Sequence, residues 1–144
     1  MNYIMFLIAI LLPSKVFAEE MHRLDELSDL TLKNRIILIR LNQDVLEHKK
    51  LFDKHYYEIK DRDIIWFILK DTGVVTNYPG ALSKGFLVKT KKEYPLEHGQ
   101  VLLIGKDGGI KDFDNKLLLG TLFKKIDAMP MRRHELESRN KSKN

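Results

Sequence analysis

An α/β domain, a mixed four-stranded sheet covered by helices, is the fold class this sequence predicts, and three observations predict it. The runs Ile36-Ile37-Leu38-Ile39 and Ile64 to Leu69, IIWFIL, are apolar at every position, a pattern that belongs to strands buried on both faces. Between them lies enough chain for a helix, so strand, helix and strand read as a right-handed crossover with parallel strands. The third observation is Gln100 to Phe113, QVLLIGKDGGIKDF, an apolar run that turns at Lys106-Asp107-Gly108-Gly109 and returns as a weaker strand. Its Asp-Gly step supplies the positive φ that a tight hairpin requires.

The chain has 144 residues and no internal repeat, enough for one domain with a real core. It opens on MNYIMFLIAILLPSKVFAEE, with an apolar run from Tyr3 to Leu12, a polar break at Pro13-Ser14-Lys15, and Ala18 before Glu19-Glu20. This is the pattern of a signal peptide cleaved after Ala18, which predicts a periplasmic or secreted protein. The run falls short of the roughly 20 apolar residues of a membrane span. Because Met1-Asn2-Tyr3 carries no Lys or Arg, an uncleaved anchor is the alternative. Residues 1–18 are thus read as signal peptide, 19–138 as a single domain and 139–144 as a disordered basic tail.

Glu19 to Asn34 places Leu24, Leu27 and Leu30 at intervals of three, a short helix or a packed arm. Arg35 to Leu41 is the first central strand. Asn42 is a candidate N-cap with Asp44 in the first turn, opening a helix to about Asp61 whose stripe is Val45, Phe52, Tyr56 and Ile59. Asp61 to Asp63 ends it, and Ile64 to Leu69 is the second strand. Lys70 to Gly80 reads as loop from its Gly, Asn and Pro content, Ala81 to Tyr94 as a helix, and Pro95 to Gly99 as loop. After the hairpin, Asp114 or Asn115 caps a helix with Leu119, Leu122, Phe123 and Ile126 at helical spacing. Pro130 ends that helix and opens a short one through Arg132 and Glu135. The order is β-α-β-α-β-β-α: two parallel strands followed by an antiparallel hairpin, the connectivity of the thioredoxin fold.

The hairpin LLIGKDGGIK, followed one helix later by IDAMPMRRHE, resembles the bacterial domain of unknown function 4174 (DUF4174), a thioredoxin-like, peroxiredoxin-related domain. The resemblance spans Leu30 to Leu136 and implies the fold and export; the family has no agreed activity. In the thioredoxin fold a Cys-x-x-Cys pair sits where the first central strand meets the first helix, here Leu41-Asn42-Gln43-Asp44. A cis-proline normally precedes the third strand, where this chain has Gln100, expected to be trans. With no Cys anywhere, disulfides, lipobox lipidation and thiol redox chemistry are all ruled out for this chain's own residues.

Other chemistries leave little trace. Asp44, His48, His55 and Glu58 fall near one helix face, but residues two turns apart stand roughly 10 Å apart along the axis, so no metal site is expected and no cofactor is implied. The Lys106–Gly109 segment suits an anion-binding nest, yet a hairpin turn needs the same glycines. Arg132 and Arg133, at the start of a helix, suit a carboxylate or phosphate; the competing reading has one of them tuck back onto Glu135 or Asp127. Ser28 and Ser83 lack a nucleophile-elbow context. The net charge of +5 favours anionic partners, but the basic tail lacks the aromatics of a nucleic-acid surface.

The reading is therefore a non-catalytic, thioredoxin-like module that binds another exported protein or an anionic surface. Its expected contact residues are Asn42, Gln43, Asp44, Gln100, Arg132 and Arg133. The alternatives are a thioredoxin-superfamily enzyme acting without its own thiol, and a metal or anion carrier.

Overall fold

Strand β1, Arg35–Arg40, runs through the middle of the sheet. On one side it pairs in parallel with β2, Ile64–Leu69, and on the other it is antiparallel to β4, Val101–Ile104. In the computed structural model, which describes residues 23–143, the sheet has five strands in the order β3-β2-β1-β4-β5. The signal peptide expected at residues 1–18 lies outside the described residues.

The fifth strand corrects the four-stranded expectation. It is β3, Val74–Thr76, antiparallel to the outer edge of β2 inside the stretch read as loop. Three residues are too few for alternation to be visible, and what seats them is non-local. The Asn77 side chain accepts the Trp66 N–H at 2.8 Å and donates to the Ile64 carbonyl at 3.1 Å, while the Thr76 hydroxyl donates to the Trp66 carbonyl at 2.6 Å. Strand β5, Ile110–Asp114, completes the other edge as the return arm of the hairpin, with an irregular register beside Ile104. Gly108, at φ +80°, supplies the left-handed turn residue.

Successive side chains of a strand point to opposite faces, and β1 divides its own accordingly. Ile37 and Ile39 join a core with Phe52, Ile59, Trp66, Leu103, Leu122 and Ile126. Ile36 and Leu38 join another with Leu24, Leu30, Phe67, Phe86 and Leu102. The first core lies beneath α1 (Val45–Lys54), α2 (Tyr56–Asp61) and α4 (Leu119–Asp127). The second lies beneath a 3₁₀ turn at Leu27–Leu30 and α3 (Phe86–Glu93). Helix α5, Pro130–Lys141, follows α4 and continues into the residues assigned to the tail. No helix among the described residues is long and apolar enough to cross a membrane.

Several boundaries differ from the sequence reading. The helix expected from Asn42 to Asp61 is two helices, interrupted at His55, whose N–H is shared between the Leu51 and Phe52 carbonyls. The interruption lets Ile59 reach the core while Tyr56, expected on the buried stripe, is 54% exposed. Asn42 is not the cap: Asp44 holds that position in a left-handed conformation at φ 56°. Leu118, rather than Asp114 or Asn115, precedes α4, since Asp114 still belongs to β5. Helix α3 is shorter than expected, because Leu82 is held in a bridge to Leu24.

Phe52 is 1% exposed and stacks on Trp66 with centroids 4.5 Å apart, which makes it the lock between α1 and the sheet. Phe52→Ala should lower the unfolding free energy by about 3–5 kcal/mol, whereas Tyr56→Ala should change it by less than about 0.5 kcal/mol. Urea denaturation followed by Trp66 fluorescence measures both.

Candidate functional site

The residues expected to form the site are divided between the two ends of β1, a six-residue strand that spans about 20 Å. Asn42, Gln43, Asp44 and Gln100 gather where β1 runs out toward α1. Arg132 and Arg133 lie toward the opposite end, where β1 begins.

At the first end the chain reverses at several points, and short polar side chains bind the loops together. Arg40 forms an ion pair with Asp71 at 2.7 Å. The Asn42 side-chain oxygen accepts the Asp71 N–H at 3.1 Å, and the Asn42 N–H lies 3.4 Å from His98 Nδ1. Gly99, at φ +85°, donates its N–H to the Arg40 carbonyl at 2.7 Å. Gln100 accepts the Glu97 N–H at 2.8 Å through its side-chain oxygen and donates from Nε2 to Asn115 at 3.4 Å. No cis peptide bond occurs among the described residues. Asn42, Gln43 and Asp44 are exposed on this framework, and Asp44 closes the first turn of α1 by accepting the His48 N–H at 3.1 Å.

At the opposite end a chain of ion pairs fastens α5 to the domain. Arg132, 2% exposed, pairs with Asp61 and with Asp127, and donates from Nη1 to the Asp61 carbonyl at 2.7 Å. Arg35, 1% exposed, forks onto Glu135 at 3.2 and 3.3 Å and donates to the Arg62 carbonyl at 2.9 Å. Lys106 reaches Asp63 and Glu135, both at 2.7 Å. Arg62 pairs with Asp127 at 2.7 Å and lies over the Phe123 ring at 4.7 Å, and Arg139 pairs with Asp61 at 2.6 Å. Arg133 stays exposed.

The electrostatics follow from this pairing. Burial pushes the Glu135 carboxyl up, but hydrogen bonds from Lys106 and Arg35 outweigh it, so Glu135 titrates below its ordinary value. Asp127 shows the same balance against Arg62 and Arg132, and Asp61 against Arg132 and Arg139. Sequence reasoning proposed Asp127 and Glu135 as partners for the arginines but missed Arg35, Asp61 and Asp63. Asp61 is 71 residues from Arg132, beyond any local pattern; the available signal for Arg35 was an arginine abutting an all-apolar strand.

The remaining candidates fall to local structure. Asp107 accepts the Gly109 N–H at 3.0 Å and pairs with Lys111 at 2.6 Å, so the hairpin turn satisfies its own donors. His48 Nδ1 lies 2.9 Å from the Asp44 carbonyl, and His55 contacts Glu58 at 3.3 Å and the edge of Phe123. Among the described residues no group of three or more His, Asp or Glu could hold a metal ion.

A mixed five-stranded sheet between helices, with a polar loop cluster at one end and an ion-pair cluster at the other, defines a small α/β domain. The chain belongs to the family described as Domain of unknown function (DUF4174), which matches residues 26–135. No curated protein and no solved structure matches it.

Removing one partner of a buried pair leaves a charge stranded, so Glu135→Gln, which deprives Arg35 of the one carboxylate it pairs with among the described residues, should cost about 3 kcal/mol. Arg133→Ala should stay within about 0.5 kcal/mol; chemical denaturation distinguishes them. Asp61, Asp127 and Glu135 have folded pKa values below their unfolded ones. Their stabilisation is therefore complete above the unfolded values near 4 and is lost as pH falls through the folded ones. The melting temperature should drop between about pH 5 and pH 3, and drop less in Glu135→Gln.

Proposed function

We propose that this protein is an exported, thioredoxin-like binding module that works without redox chemistry and recognises another exported protein through Asn42, Gln43, Asp44 and the Gln100 loop. The observation that carries this reading is the construction of that end of the sheet. Exposed polar groups at Asn42 to Asp44 stand on loops already pinned by the Asn42–Asp71, Asn42–His98 and Gln100–Asn115 contacts. A surface fixed before contact loses less conformational freedom on binding than a mobile one. The strand order supports the thioredoxin-like assignment: β2-β1-β4-β5 is a parallel pair continued by an antiparallel hairpin, with β3 added at the outer edge. On that scaffold Leu41 to Asp44 stands where a redox pair would sit, in a chain with no Cys. The apolar run before Ala18 supports export.

Arg132, a candidate contact residue on sequence grounds, is committed to Asp61 and Asp127, which supports the opposite end as the contact surface. Affinity capture from periplasmic extract tests the assignment. Intact protein and Arg133→Ala should recover the same partner, while Gln43→Arg combined with Asp44→Gly, which keeps the left-handed turn, should recover at least tenfold less. Equal recovery by all three forms, or thiol-exchange turnover by the purified protein, would overturn the reading.

A further inference from the structure

We propose that a second copy of this chain pairs with the outer edge of β5, forming a two-fold dimer whose sheet runs on from one molecule into the other. Strand β5 ends the sheet, and among the described residues no strand lies against its outer side. Backbone donors and acceptors left unpaired along such an edge are a template for a further strand.

What singles out this edge is how its irregular register sorts the side chains. Strict alternation would set Ile110 with Asp112 on one face and Lys111 with Phe113 on the other. Instead Phe113 lies opposite Leu102 and, past the irregular step, Ile110 lies opposite Ile104. Directly opposed residues share a face, and Leu102 and Ile104 both belong to the core beneath α3. Ile110 and Phe113 therefore stand together on that face, 59% and 52% exposed. Asp112, opposite Leu103, turns to the other face, where it pairs with Lys125 of α4 at 2.5 Å. Lys111, the extra residue of the bulge, folds back onto Asp107 at 2.6 Å and lies on the side of Met129 and Met131. Charged side chains often guard an edge against association; here both are held by their own chain, on the face away from the exposed apolar pair.

The occupant follows from the order of these four residues. In an antiparallel pairing that sets Ile110 opposite Phe113 of the second copy, two-fold symmetry forms the reciprocal contact as well. Two apolar pairs then cover one another on the face beneath α3, and on the other face Lys111 of each copy meets Asp112 of its mate. The stretch Ile110-Lys111-Asp112-Phe113 is thus complementary to itself in both hydrophobicity and charge. Four residues a side make a small interface, so the association is expected to be weak and dependent on concentration.

Sedimentation velocity between about 10 μM and about 1 mM, the range in which a small interface assembles, tests the proposal. The mass should rise toward that of a dimer. Ile110→Thr combined with Phe113→Thr, which puts polar β-branched side chains in the strand, should melt as the parent does at low concentration and stay monomeric throughout. Because the chain has no Cys, oxidation with glutathione disulfide can read the register. Opposed residues of an antiparallel pair bring their Cα atoms to about 5.5 Å or less, within reach of a disulfide. A mixture of Ile110→Cys and Phe113→Cys chains should therefore cross-link about tenfold faster than either chain alone, since neither position opposes itself. The proposal fails if the protein stays monomeric at the highest concentration, if the doubly substituted form dimerises undiminished, or if either singly substituted chain cross-links with itself as fast as the mixture does.

Discussion

Among the described residues three cations, Arg35, Lys106 and Arg132, are buried in a domain otherwise filled, Thr90 aside, by aliphatic and aromatic side chains. A charge taken out of water is tolerated only where opposite charge and hydrogen bonds replace its hydration, and that constraint shapes one end of the molecule. It explains why Asp61, at the end of α2, holds α5 through both its side chain and its carbonyl, while Arg62 and Asp63 beside it pair with Asp127 and Lys106. It also explains how α5 can be docked when Arg132 is its only buried residue. An amphipathic helix normally attaches by an apolar stripe; this one attaches by guanidinium and carboxylate geometry, with Arg35 presented from β1 and Lys106 from the β4–β5 turn.

The two cores are built differently. The face under α1, α2 and α4 is closed by large side chains meeting across elements, with Phe52 on Trp66 and the Leu119, Leu122, Phe123 and Ile126 stripe of α4 against the sheet. The other face is covered by one short helix and by Leu24, Leu27 and Leu30 from the segment before β1. There the chain relies on the bridge between Leu24 and Leu82 and on the contacts of Asp25 with Lys89 and Ser83. The segment before β1 is therefore part of the fold.

The elements legible in the sequence were those whose signal is local. Ile36 to Ile39 and Ile64 to Leu69 are apolar at every position, the Asp-Gly step marks the hairpin, and α4 repeats its leucines at helical spacing. What was not legible depends on distant partners. Val74 to Thr76 is a strand because Asn77 and Thr76 reach Trp66 and Ile64. The helix interruption at His55 has neither glycine nor proline to announce it. At the candidate site, the turn at Asn42 to Asp44 followed from the end of an apolar strand, whereas the burial of Arg35 and its fork onto Glu135, 100 residues away, could not be anticipated from spacing. The two arginines after Pro130 were visible as a pair; only the fold separates the buried Arg132 from the exposed Arg133.

Strand β1 joins the two ends, and both of its edges are hydrogen-bonded within the sheet. A strut of this kind has no hinge and no alternative register, since a slip of one residue would exchange its two apolar faces. A displacement at one end thus has no moving part in β1 through which to reach the other, and substitutions at the two ends should change stability additively.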